Sequence, residues 1–176
     1  MKVIKSKAGL FFAGFMLLAA CKKIEQLLTF YVSNETSVTI PATTPVNLPV
    51  NVGTPDVTSN SAQQFKNNNS NINLVKDIQL DNLGMTITNP ANQTFSFLKS
   101  IHLYISTDST NEIELAWLDS IPTTASLITL QTTQSALDSY VKASSYKLRT
   151  QAVCRQVLTQ NTTVDIKLKF KVTANL

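Results

Sequence analysis

Few side chains in this sequence have a type and spacing that could do chemistry. Glu112, Glu114 and Asp119 lie close together, and two carboxylates suffice to hydrolyse a glycosidic bond. Glu112 and Glu114, however, alternate with Ile113 and Leu115, which is the spacing of a strand's solvated face. His102 is the single histidine, so no second imidazole exists for a His-based metal cluster. It stands between Ile101 and Leu103, on the face opposite the apolar one, and an acid–base role would require a partner delivered by the fold. Asp108-Ser109-Thr110-Asn111-Glu112 is oxygen-rich like a calcium loop but lacks the spaced acids and glycine of an EF-hand. Gly-x-Ser-x-Gly, phosphate-loop, dinucleotide and His-Glu-x-x-His patterns are missing. The expectation is a non-enzymatic protein with no cofactor and no metal. Binding is the better use of what remains. Tyr31, Tyr104 and Trp117 could anchor a protein or glycan partner, and Lys167, Lys169 and Lys171 form a basic stripe that could meet anionic headgroups or an acidic glycan. A solvated face that discourages edge-to-edge aggregation is the simpler reading of those lysines.

Cys21 is a different matter, because its chemistry is set by what precedes it. Lys2, Lys5 and Lys7 form a positive segment, and residues 8–20 carry no charge. The apolar run is shorter than the roughly 20 residues a spanning helix needs, and it ends in small residues, as an export signal does. Leu18-Ala19-Ala20-Cys21 resembles the lipobox of bacterial lipoproteins. The resemblance implies that residues 1–20 are cleaved, that Cys21 is acylated on its thiol and on the new amino group, and that the membrane is the first partner. Each buried methylene contributes about 0.8 kcal/mol, and one chain alone holds only marginally, whereas several hold firmly. Lys22 and Lys23 stand where the family's inner-membrane retention signal would place an Asp, which implies an outer-membrane location in the cell envelope. Residues 21–27 then form a lipidated tether.

Removing the leader changes the charge argument. Of 15 basic residues against 11 acidic ones, three precede Cys21, so the remainder is close to neutral. The basic isoelectric point is an export feature and gives no case for nucleic-acid binding. With Cys21 committed to lipid, Cys154 has no intramolecular partner, which excludes a disulfide framework. It shares a strand phase with Leu148 and Ala152, as a small buried hydrophobe would.

The elements that must position these residues are mostly strands. Leu28, Phe30 and Val32 alternate with polar residues, and a second short strand is expected at 37–40. The run 46–52 alternates with Pro49 on its polar phase, which marks an edge strand or strand end. Residues 53–73 are rich in Ser, Asn and Gln and read as a long loop, in which 61–66 could form a short helix that pins Phe65 to the core. Ile78 and Leu80 share one phase while Leu83, Met85 and Ile87 share the other, which predicts a β-bulge near Asp81-Asn82. Further strands are expected from Phe95 to Ile105, from Glu112 to Leu118, at 127–130, at 146–154 and at 164–172. The spacing of Leu137, Tyr140 and Val141 predicts a helix over 134–144, with Ser135 as its cap.

Many short strands, turn signals about every ten residues and one convincing helix predict an all-β fold, a single domain over 28–176. Two antiparallel sheets packed as a sandwich are expected, immunoglobulin-like by preference and a jelly roll otherwise. The chain resembles small β-sandwich lipoproteins of Gram-negative bacteria. The function expected is a membrane-tethered binding or structural module of the envelope, with an envelope protein or glycan as its partner. A carboxylate-based glycan hydrolase and a binder of an apolar ligand between the sheets are the alternatives.

Overall fold

The structure, a computed structural model, describes residues 29–174. The leader 1–20, Cys21 and the tether 21–27 lie outside the described residues. The rest is an antiparallel sandwich of two sheets, as the alternation predicts. Chain order is β1 (Thr29–Ile40), β2 (Pro49–Gly53), β3 (Val57–Thr58), α1 (Ser61–Asn67), β4 (Val75–Asn89), a 3-10 turn (Phe95–Phe97), β5 (Leu98–Ser106), β6 (Ile113–Leu118), β7 (Leu127–Thr129), β8 (Gln131–Thr132), α2 (Asp138–Val141), β9 (Ser145–Cys154) and β10 (Thr162–Ala174).

The smaller sheet has the order β1-β10-β4-β7, and the larger has β2-β9-β5-β6-β8 with β3 added beside β9. The chain crosses between sheets after β1, after β2 and β3, after β4, after β6, after β7, and again between β9 and β10. That winding is a jelly roll. The immunoglobulin-like arrangement, the first expectation, puts its first two strands in one sheet; here β1 and β2 fall in opposite sheets. Alternation along a strand reports which face is buried, but it does not report which strand lies alongside.

Burial follows the alternation closely. In β10, Val164, Ile166, Leu168, Phe170 and Val172 face inward while Lys167, Lys169 and Lys171 face water. The inner faces meet directly: the Tyr146 ring of β9 stands edge-on to Phe170 of β10, with centroids 6.5 Å apart. Such contact leaves the space between the sheets filled by protein at that level, and it offers no support for an apolar ligand there.

Several expectations are sharpened or corrected. The two strands expected at 28–33 and 37–40 are one continuous strand, because the polar Asn34 occupies an inward position between Val32 and Val38. The bulge expected near Asp81 is present: Lys169 pairs with Asn82 and Phe170 with Leu80, leaving Asp81 as the extra residue. Phe95 and Phe97 open a 3-10 turn rather than a strand. The helix expected over 134–144 is reduced to Asp138–Val141, since Leu137 N–H is held by the Ile78 carbonyl of β4. Within the loop at 53–73, α1 forms and Phe65 is fully buried.

Antiparallel pairing gives the sandwich two distinct ends. Thr29 pairs with Thr173 at one end, and Ile40 with Thr162 at the other. The first end is closed by α1, α2 and the segments around them. The second carries the connections 41–48, 90–97, 119–126 and 155–161. These are stitched together by Ala42 N–H on Asn161 Oδ1 and by Thr94 Oγ1 on the Thr123 carbonyl. No helix among the described residues is long and apolar enough to cross a membrane.

Candidate functional site

The residues singled out in the sequence divide between the two outer faces. Tyr31, Lys167, Lys169 and Lys171 lie on the smaller sheet, where Tyr31 is cross-strand from Lys171 and Lys169 from Ser33. The lysine stripe is largely answered by its own neighbours. Lys167 pairs with Glu35 at 3.1 Å and Lys169 with Asp81 at 3.1 Å. The Lys169 ammonium also sits 3.9 Å from the centre of the Tyr31 ring. Tyr104 and Trp117 lie on the outer face of the larger sheet, so the six residues do not form one surface.

The larger sheet's outer face is the richer of the two. Its strand register aligns one residue from each of five strands in a single row. Asn51 of β2 pairs with Gln151 of β9, Gln151 with His102 of β5, His102 with Trp117 of β6, and Trp117 with Gln131 of β8. Strands lie about 4.8 Å apart, so the row is about 19 Å long. It contains amides, an imidazole and an indole, and no aliphatic side chain.

A second row runs beside it through Arg149, Tyr104 and Glu114. The Arg149 guanidinium stacks 4.1 Å from the Tyr104 ring centre. It also grips Glu112 through Nε and Nη2, at 2.9 and 2.6 Å, and donates from Nη1 to Asn51 Oδ1 at 2.6 Å. The Arg149 fork holds the Glu112 carboxyl below its ordinary range. Glu112 is thus a fixed counter-charge and is not placed as a free acid.

His102 does have partners. Its Nδ1 lies 2.6 Å from Glu114 Oε1 and its Nε2 3.1 Å from Asp119 Oδ1. Partial burial alone would lower the imidazole's pKa, but the two carboxylates outweigh it and the net shift is upward. Both nitrogens are engaged, so the ring is set up to be doubly protonated and neither lone pair is offered to a nucleophile. The imidazole also occupies the space between Glu114 and Asp119, where a glycosidic bond would have to sit for those carboxylates to act on it. This arrangement locks and orients the face.

Asp119 leads from the row to a shallow depression of about 370 Å³ at the end of the sandwich. Asn47, Lys99, Asp119, Ser120 and Arg155 line it, drawn from three of the end connections and the start of β5. Arg155 is held from below: Nε and Nη2 donate to the Leu98 carbonyl at 2.9 and 2.7 Å, and Nη2 to that of Ile121 at 3.2 Å.

Other candidates are spoken for. In the 108–112 loop, Asp108 Oδ1 accepts from the Thr110 amide and hydroxyl, and Asn111 Oδ1 accepts from the Thr107 and Asp108 amides. The Thr110 bonds hold the Asp108 carboxyl below its ordinary range. The loop's oxygens close on its own donors, and no cluster of His, Cys, Asp and Glu among the described residues could hold a metal ion. Cys154 is fully buried, and burial pushes its thiol's pKa up, so it is an inert core residue. Sequence reasoning missed Asn51, Lys99, Arg149, Gln151 and Arg155. Asn51, Arg149 and Gln151 occupy the polar phase of two strands that were themselves expected, and this was the available signal.

No family model matches the chain, and no curated protein matches it. Chains from solved virus structures align with much of it at low TM-score. A chain of Desmodium yellow mottle tymovirus aligns over 84% of this chain and 83% of its own, at 16% identity and a TM-score of 0.31. A chain of the cowpea mosaic virus top component aligns over 84% and 88%, at 9% identity and a TM-score of 0.34. A chain of tomato aspermy virus aligns over 81% and 76%, at 10% identity and a TM-score of 0.31. Likeness at this level says nothing of what the chain binds or does.

Proposed function

We propose that the protein is a lipid-tethered, non-enzymatic binding module of the bacterial envelope, anchored through Cys21 and presenting the outer face of its larger sheet to a ligand. The observation that carries this reading is the five-strand row Asn51–Gln151–His102–Trp117–Gln131. A sheet face that only needs to be wet has no use for an aligned indole and imidazole locked by two carboxylates. Orientation supports it as well. The eight residues from Cys21 to Thr29 reach at most about 29 Å, which keeps the end containing Thr29 near the bilayer. β1 spans 12 residues, about 40 Å at the rise of a strand, so the opposite end and its depression stand away from the lipid. The outer-membrane address rests on the residues after Cys21 alone.

The test has two arms. Full-length protein in detergent is used to capture partners from envelope extracts and on a glycan array, beside the double variant Trp117→Ala/Gln151→Ala. Capture that the variant loses supports the proposal, whereas capture unaffected by it moves the binding surface elsewhere. Cys21→Ser should abolish incorporation of labelled fatty acid and release the protein from the membrane fraction. A variant still labelled and membrane-bound would overturn the anchor.

A further inference from the structure

We infer that the membrane-distal depression and the adjoining row together bind an acidic oligosaccharide, with Lys99 and Arg155 receiving a sugar carboxylate and Trp117 stacking against a neighbouring ring; this rests on the binding-module reading above. The charge pattern is the first ground. Lys142, Lys147, Arg149, Lys167 and Lys169 each have a carboxylate within 4 Å. Lys99 and Arg155 have none among the described residues, which is equally true of Lys66, Lys76 and Lys171, but Lys99 and Arg155 share one depression, with Asp119 beside them. Asp119 is instead turned to His102 Nε2. Two cations therefore converge on one recess whose acid is already engaged.

Arg155 is built to stay there. Its bonds to the Leu98 and Ile121 carbonyls fix the guanidinium without neutralising it, and Nη1 has no partner among the described residues. A fixed guanidinium with a free N–H edge beside a flexible ammonium suits a carboxylate.

The row supplies the second ground. Trp117 is two residues before Asp119 and cross-strand from His102, whose Nε2 meets Asp119 at the edge of the recess. An indole face can pack against the C–H face of a pyranose. Gln151 and Gln131 each offer a carbonyl acceptor and N–H donors, while Asn51, whose Oδ1 accepts from Arg149 and Gln151, offers its Nδ2 donors; together they match hydroxyl groups that both donate and accept. A protein partner would be expected to find an apolar centre ringed by polar groups, and this row has no aliphatic member. A hydroxyl-rich chain bearing an anion fits both halves of the surface.

Trp117 is the protein's single tryptophan, which gives the test its readout. Full-length protein in detergent is titrated with a galacturonic acid tetrasaccharide, its methyl ester and the neutral galactose tetrasaccharide, following tryptophan emission and heat of binding. The acid is expected to shift emission and to bind about tenfold more tightly than either uncharged form. Lys99→Gln should remove most of that preference while leaving the thermal midpoint unchanged. Trp117→Phe, read by calorimetry, should weaken all three. Equal binding of acid and ester would overturn the carboxylate assignment. No binding of any sugar, with a protein partner still captured through the row, would overturn the glycan inference and leave the binding module standing. No sugar and no captured partner would overturn both.

Discussion

At the scale of single residues, Asn34 is the one amide among the six buried polar side chains of the described residues. Asn34 points inward from β1 and donates through Nδ2 to the Tyr146 hydroxyl at 2.9 Å. Both residues are buried. Burial lifts the Tyr146 phenol to about 12, against the opposing pull of its bond to Asn34. Tyr146→Phe would strand the amide donor at a cost of about 1–3 kcal/mol, whereas Asn34→Leu combined with Tyr146→Phe removes both partners and should recover most of the loss. Urea unfolding of the four members of that cycle measures the coupling; strictly additive effects would show that the pair is not interacting. His102 makes a prediction of a different kind. Its pKa is raised in the folded state above the ordinary 6.5, so its bridge to Glu114 and Asp119 contributes fully below about pH 6.5 and is lost as pH rises through the folded value. The urea midpoint of the wild type should therefore fall above pH 6.5 relative to that of His102→Gln. Parallel pH profiles for the two proteins would show that the bridge is not felt. The sequence put His102 and Glu114 on outward phases and gave Asp119 none; only the β5–β6 register, with its shift between Leu103 and Tyr104, makes them neighbours, so the bridge was not legible beforehand.

Elements show where sequence periodicity succeeds and where it stops. The bulge at Asp81 was legible because apolar residues on both sides of it are numerous enough to reveal a change of phase. Register also slips at Asp77 and at Thr88, near the ends of β4, where too few alternating residues remain to show it; Asp77 additionally takes a positive φ of 47°. The short helix α1 was legible through Phe65 alone, and Phe65 is the reason it stays in place. Its ring is fully buried and meets Phe30 edge-on at 6.0 Å, while Gln64 receives the Ser33 amide at 3.0 Å. Phe65→Ala should cost about 3–5 kcal/mol and open residues 67–73 to limited proteolysis before the rest of the fold unravels. Cleavage there at the wild-type rate would mean that the helix is held by its polar contacts to β1. The helix expected over 134–144 failed for the converse reason: a hydrogen bond from β4 claims Leu137 before the helical turn can begin, and no local pattern announces a partner 59 residues away.

For the molecule as a whole, the class of fold was written in the alternation, and its winding was not. Which strands become neighbours is settled by contacts between distant segments, and the depression lined by Asn47, Lys99, Ser120 and Arg155 exists only because three separate connections and the start of β5 meet at the same place. The order of the smaller sheet has one more consequence. β10 lies between β1 and β4 and supplies the partner for both, so the last strand of the described residues is an interior strand of its sheet. Until residues 162–174 have left the ribosome, β1 and most of β4 have nothing to pair with and the two sheets cannot close. The smaller sheet is thereby closed by contacts between segments distant in sequence, which makes its completion a late and non-local folding event.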